Sequence, residues 1–589
     1  MSSKKRKDRP KKRKFSGNRY TRFCSINVEH DNDDGIDVLV EAEVTEKSAS
    51  RSKLGTPSNT AETNTDNIEG YRFIDAELFI SFLCKFPCKK CLEEGGLKVS
   101  EYRVGLASKF TVTCNRCPGP KPFKTVFYSS TKVGSENGGQ GRCFDINKRL
   151  PMAMFAIGRN YAQAKRLTAN LNMPPPQSLS CWQKHAKSLH SATRNVAESS
   201  MQKAADEIRV GSMSNVTVSC DGSWQRRGFS SKNGVATVLT VPVCGKSSKV
   251  IDTQTLSNYC SACHIMKNKL SEPEFQIWTK THECEKNHTG SAGAMEPSGM
   301  LSIFRCSRTT RKLAYSGYLG DGDSKSYSAV ANAYPPIYSR PCVAIKKLEC
   351  CGHVQKRIYR RLTDKVSEYK HKTFVENGKT FKGIGGAGRL TQKAILRIQG
   401  HYGAAIRGNP GDVKAMEKAI WAIWKHRSRD HTDCGDWCPS KSGKGGDANK
   451  NALPEFVCTA IKPVFKILSS EDLLQKCAHG GTQNTNESFH NLIWERSPKV
   501  TFVGRRRLET AVADATIVYN DGESARVAIC ETMGLKHGSH LTGGFSKIDK
   551  KRVDNAHVSG KSAVIKARRA RSNVSAAQKD DSTYEAGRF

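Results

Sequence analysis

Carboxylates and paired cysteines carry the chemistry that this sequence could perform. Asp221 ends an alternating stretch, VTVSC, whose period of two predicts a strand, within VTVSCDGSW (Val216 to Trp224). Asp321 and Asp323 follow a second strand-like run in LAYSGYLGDGDSK, where Gly320 and Gly322 force a turn. Glu487 lies in NTNESFHNLIW, a helical pattern that puts Glu487, His490, Asn491 and Trp494 on one face. Two strand-borne aspartates and one helix-borne glutamate, in that chain order, could converge on two divalent cations about 3.5–4 Å apart and support phosphodiester chemistry. Such hard oxygen ligands suit Mg2+ or Mn2+. A calcium loop is excluded, because Lys325 falls where the third oxygen ligand is required and no Glu closes the loop.

Cys88-x2-Cys91 and Cys114-x2-Cys117 have the paired spacing of a tetrahedral zinc site, with Cys84 near enough to replace one ligand. Cys260-x2-Cys263 with Cys284-x3-His288 repeats the theme, with His282 an alternative ligand. His431-x2-Cys434-x3-Cys438 supplies three ligands of a further site and leaves the fourth unaccounted for. Cys350-x2-His353 is either an incomplete metal site or a core pair. Several motif look-alikes fail on mechanism. HECEKNH has its second His too late for a metalloprotease, no apolar strand precedes GIGGAG, and Thr240 stands where a P-loop ending in CGKSSK needs its first glycine.

These groups need scaffolding, and 589 residues allow several domains. A formal charge of +39, from 95 Lys+Arg against 56 Asp+Glu, points to a polyanionic partner and salt-sensitive binding. No apolar run is long enough to cross a membrane, and no lipidation motif stands out, so no membrane partner is expected. KKRKDRPKKRK (Lys4 to Lys14) looks like a nuclear import sequence, which predicts a nuclear location and cysteines kept as thiols. The expected order is a basic disordered tail and linker over 1–68, a four-cysteine zinc-binding module over 69–141, and a helical domain that could bind DNA over 142–210. An α/β core follows over 211–353, interrupted by a zinc knuckle at 260–288. A helical insertion over 354–480, a closing helix of the core within 481–530 and a basic disordered tail over 531–589 complete the chain.

Together CDGSW, NYCSACH with CEKNH, GYLGDGDSKSY, ECCGH, GRLT with HYGAAIR, HTDCGDWC and NTNESFHNLIWERSPK resemble the Mutator-like transposases, in particular the Phantom-like group with a Cys-rich N-terminal module. The motifs span roughly Tyr71 to Asn520. The resemblance implies an RNase H-like catalytic core with a helical insertion, and a DDE triad of Asp221, Asp321 or Asp323, and Glu487. Asp321 better matches the family's spacing to Ala329, whereas Asp323 lies nearer the turn. Cys350 and His353 match the family's C-x2-H motif. The implied activity is divalent-metal-dependent cleavage at terminal inverted repeats of double-stranded DNA and strand transfer into target DNA by a homo-oligomer. A domesticated, transposase-derived nuclear DNA-binding protein without catalysis is the alternative.

Overall fold

The computed structural model describes residues 48–55, 68–134, 143–211, 214–226, 230–242, 247–321, 325–339, 342–435, 437–442, 447, 449–560 and 564. Its N-terminal module is a three-stranded antiparallel sheet of β1 (Leu97–Val104), β2 (Ala107–Cys114) and β3 (Lys124–Tyr128). Only β2, the central strand, buries a regular set of side chains, among them Phe110 and Val112. So thin a core needs another staple.

The centre of the molecule is a five-stranded sheet. Its strands in chain order are β4 (Ser214–Trp224), β5 (Asn233–Thr240), β6 (Val250–Ser257), β7 (Leu313–Gly320) and β8 (Lys346–Glu349). Across the sheet they run β8-β7-β4-β5-β6, with β4, β5 and β6 antiparallel and β4, β7 and β8 parallel. Every residue of β5 is buried, as VATVLT requires of a strand covered on both faces. Its side chains alternate between two cores. Ala236 and Val238 meet Met300, Ile303 and Phe304 of one helix, while Val235 and Leu239 meet Met201, Phe489, Ile493 and Val512 of others.

Those covering helices are α1 (Leu179–Asp206), α2 (Ala292–Thr310), α7 (Asn484–Arg496) and α8 (Arg505–Asp521). Between β8 and α7 the chain builds a separate helical core from α3 (Cys351–Glu368), α4 (Gln392–Arg407), α5 (Val413–Arg427) and α6 (Glu455–Leu468). Val354, Ile358 and Leu362 of α3, spaced four apart, form its inner stripe. Two expectations need correction. Asp221 lies inside β4, which continues to Trp224, so it does not end the strand. Beyond residue 531, Ser539–Gly560 form a helix whose Asp549 accepts the backbone N–H groups of Glu523 and Ser524 at 2.8 and 2.9 Å, so this part is no disordered tail. Residues 1–47 and 565–589 lie outside the described residues.

One buried charge ties the layers together. Arg311, with 3 % of its side chain exposed, donates to Ile251 O at 2.8 Å, to Asp252 Oδ1 at 3.1 Å and to both carboxylate oxygens of Glu198 on α1. Removing one partner of such a network strands the others. We expect Arg311→Ala to cost about 3–5 kcal/mol, read as a lowered thermal unfolding midpoint. An unchanged midpoint would show that Asp252 and Glu198 are solvated without it.

Candidate active site and metal centres

Parallel pairing of β4 with β7 sets the first two carboxylates. Ser219 pairs with Leu319, so Asp221 within β4 and Asp321 just past the end of β7, each two residues further on, stand at the same level. On the outer side Glu349 of β8 pairs with Gly320, which brings Cys350 opposite Asp321. Asp323 lies outside the described residues.

Glu487 is delivered by the start of α7, which a polar set of neighbours pins to the sheet. Fully buried Asn486 accepts from Ser219 Oγ at 2.6 Å and donates to Ser219 O at 3.3 Å. Gln483 donates to Cys220 O at 2.6 Å, and its own backbone N–H points at Cys350 Sγ, 3.3 Å away. Glu487 follows in the first turn with its side chain exposed. One turn on, His490 shares a 2.9 Å hydrogen bond with Thr237 Oγ1 and holds Nδ1 3.6 Å from Asp221 Oδ2. Burial, with Lys499 adding to it, drops His490 to about 3, so it faces Asp221 as a neutral ring.

A fourth carboxylate stands here that the sequence did not single out. Glu296 of α2 packs so closely on Gly222 that a Cβ there would lie 2.6 Å from Oε2, and its Oε1 accepts from Ser326 Oγ at 2.9 Å. The glycine after Asp221 is what admits it. Burial first, and then the charge of Glu296, hold Asp221 well above the usual carboxylate range, with Glu487 adding to the rise. Glu296 is raised too, by burial and by Asp321. The charges of these carboxylates oppose one another, a repulsion that a cation between them would relieve.

Cys350 and His353 lie beside these carboxylates and, among the described residues, join none of the cysteine and histidine groups. His353 Nδ1 is buried, has no hydrogen-bond partner among the described residues and lies 3.7 Å from Asp321 Oδ1. Interaction with Cys350 raises its pKa against the effect of burial. Of the two readings of this pair, an incomplete metal site or a core pair, neither is completed by a third Cys or His ligand among the described residues; what the pair meets is the Asp321 carboxylate.

Among the described residues three sets of four ligand atoms converge within 4.8 Å, each able to hold a metal ion. The first is Cys88, Cys91, Cys114 and Cys117, without Cys84. Its Cys88–Cys117 and Cys91–Cys114 sulfurs lie 3.6 and 3.7 Å apart, against about 3.8 Å for four thiolates on one zinc ion. The second is Cys260, Cys263, His282 and Cys284. His282 takes the place expected for His288, because stacking on Trp278 at 4.2 Å sets its ring with Nε2 3.2 Å from Cys260 Sγ. His288 instead lies against Ser291 O at 3.3 Å. The third joins His431, Cys434 and Cys438 to His426, the missing ligand.

The family model for Mutator-like transposases matches residues 70–438. The chain belongs to that family. Membership assigns it a transposase role and implies DNA as a partner. Searches of curated proteins and of solved structures found no match to this transposase. No described helix of the transposase is long and apolar enough to cross a membrane.

Proposed function

We propose that the chain is a DDE transposase with an RNase H-like core, cutting double-stranded DNA at terminal inverted repeats and joining the ends to target DNA. The observation that carries this reading is the β4–β7 register, which puts Asp221 and Asp321 at one level of the sheet, with Glu487 in the first turn of the helix that Gln483 and Asn486 pin to β4. The sheet order supports it. Numbered within the sheet, the strands run 3-2-1-4-5, with the first three antiparallel and the last two parallel to the first, as in RNase H-like folds. The same register favours Asp321 as the second carboxylate; Asp323 stays a candidate outside the described residues.

Asp221, Asp321 and Glu487 would hold Mg2+ or Mn2+. Their oxygen donors fit such an ion, and a cation would also offset the burial and, after it, the like charge that hold Asp221 and Glu296 above the usual carboxylate range. When bound, divalent ions supply activation of the attacking hydroxyl and charge stabilisation at the leaving oxygen. The chain's own part is positional. Asn486 and Gln483 fix the angle of α7, His490 packs neutral against Asp221, and the surplus of Lys and Arg neutralises DNA phosphates. Zinc in the first two cysteine groups would brace the N-terminal module and the insertion after β6. Synapsis of two element ends calls for a homo-oligomer. Nuclear import would come from Lys4 to Lys14, outside the described residues.

Glu296 supplies the test. Glu296→Gln keeps the bond to Ser326 and removes a charge beside Asp221. We expect DNA bearing the element's ends to be cut only with about 10–100-fold more Mg2+ at half-maximal rate, the usual loss of metal affinity when a supporting group is changed. An unchanged Mg2+ requirement would remove Glu296 from the site. Failure of the wild type to cut that DNA in Mg2+ or Mn2+ would overturn the transposase chemistry itself.

A further inference from the structure

We infer that His426, His431, Cys434 and Cys438 form a structural zinc site that closes the end of the helical insertion. The geometry is that of four ligands around one ion. Zn–S bonds of about 2.3 Å and Zn–N bonds of about 2.0 Å in a tetrahedron separate N from S by about 3.5 Å and N from N by about 3.3 Å. Here Cys434 Sγ lies 3.5 and 3.8 Å from the Nδ1 atoms of His426 and His431, and Cys438 Sγ lies 3.6 and 3.4 Å from them. The two Nδ1 atoms are 3.1 Å apart.

Hydrogen bonding alone explains this convergence poorly. Nε2 of His431 donates to Asn449 Oδ1 at 3.1 Å, so in the neutral ring the Nδ1 lone pair faces the two sulfurs and the second imidazole. A histidine that ligates through one nitrogen and donates through the other to a side-chain oxygen is a recurring support for a bound metal. Mixed nitrogen and sulfur ligands in a tetrahedron select zinc over the oxygen-seeking ion of the carboxylate site. Trp437, whose ring is 4.9 Å from that of His426, covers one side, and Cys434, Cys438 and His426 are buried.

The consequence is mechanical. His426 sits in the last turn of α5, while the other ligands lie on the segment that returns to α6. Buried Arg427 donates to Asn451 O at 2.8 Å, and Leu453 N donates to Arg427 O at 2.8 Å. The ion thus clamps the connection between two helices of a core that lies between β8 and α7 in the chain. This inference stands apart from the transposase reading, since it requires no catalysis.

The test uses the full-length protein purified without chelator. Elemental analysis is expected to find three zinc ions per chain, one for each ligand set. The three sets hold four cysteines, three cysteines with one histidine, and two cysteines with two histidines. Zinc X-ray absorption should therefore give an average shell of nine sulfurs to three nitrogens. Two ions with seven sulfurs to one nitrogen would overturn the proposal without any variant. Cys434→Ser and, separately, His426→Ala should each lower the zinc content from three to two, and retention of all three by either variant would also contradict it.

Discussion

Asp221→Asn and Glu487→Gln are each expected to lower DNA cleavage by about three orders of magnitude or more while DNA binding persists. The size follows from the several kcal/mol of transition-state stabilisation that a metal pair supplies, at tenfold per about 1.4 kcal/mol. Binding should survive because it rests on a charge of +39 spread over the chain. Asn in place of Asp221 keeps the shape that Gly222 N–H contacts at 2.9 Å, and the exposed Glu487 side chain supports no core. The comparison needs labelled DNA bearing the element's ends, with cleavage followed in Mg2+ and binding followed by mobility shift. Equal loss of both activities would make these side chains structural.

The second large effect concerns the four-cysteine site. Structural zinc binding contributes about 10–16 kcal/mol to small domains, far more than the thin core around Phe110 and Val112 can supply alone. Cys114→Ser is therefore expected to unfold β1 to β3. The backbone N–H of Arg116, 3.4 Å from Cys114 Sγ, would lose its sulfur acceptor directly, and those of Lys90 and Phe123 point at Cys88 and Cys117 of the same ligand set. Limited proteolysis should cut between residues 84 and 128 in the variant and spare that region in the wild type, and the zinc content should fall by one. A variant that resists proteolysis like the wild type would show that the module folds without its metal.

What could be read from the sequence was whatever two or three residues fix at short range. CDGSW and the GDGDS turn announced strand-borne acids, and Cys-x2-Cys spacing announced metal ligands, because one turn suffices to bring such residues together. Glu296 was invisible for the opposite reason. GAMEPSGM, with Pro297 and two glycines, carries no motif that marks its glutamate, and only packing of α2 on Gly222 gives it a role. His282 displaced His288 through stacking on Trp278, a contact across one helical turn that cysteine spacing does not encode. His426 had a signal in H-x4-H-x2-C-x3-C, hidden because its first member belongs to a helix and the rest to a loop. Gln483 and Asn486 look like uncharged padding until the sheet supplies Ser219 O and Cys220 O as acceptors.

The central claim is that the Asp221 carboxylate itself holds a divalent ion during cleavage, and substitution by a softer ligand tests it most directly. Asp221→Cys should be inactive in Mg2+, which binds sulfur poorly, and should recover cleavage in Mn2+, which accepts it more readily. Recovery confined to the Cys variant and to Mn2+ is the predicted result. A Cys variant that stays inactive in both metals while the wild type cuts in both, or one that cuts normally in Mg2+, would contradict the account.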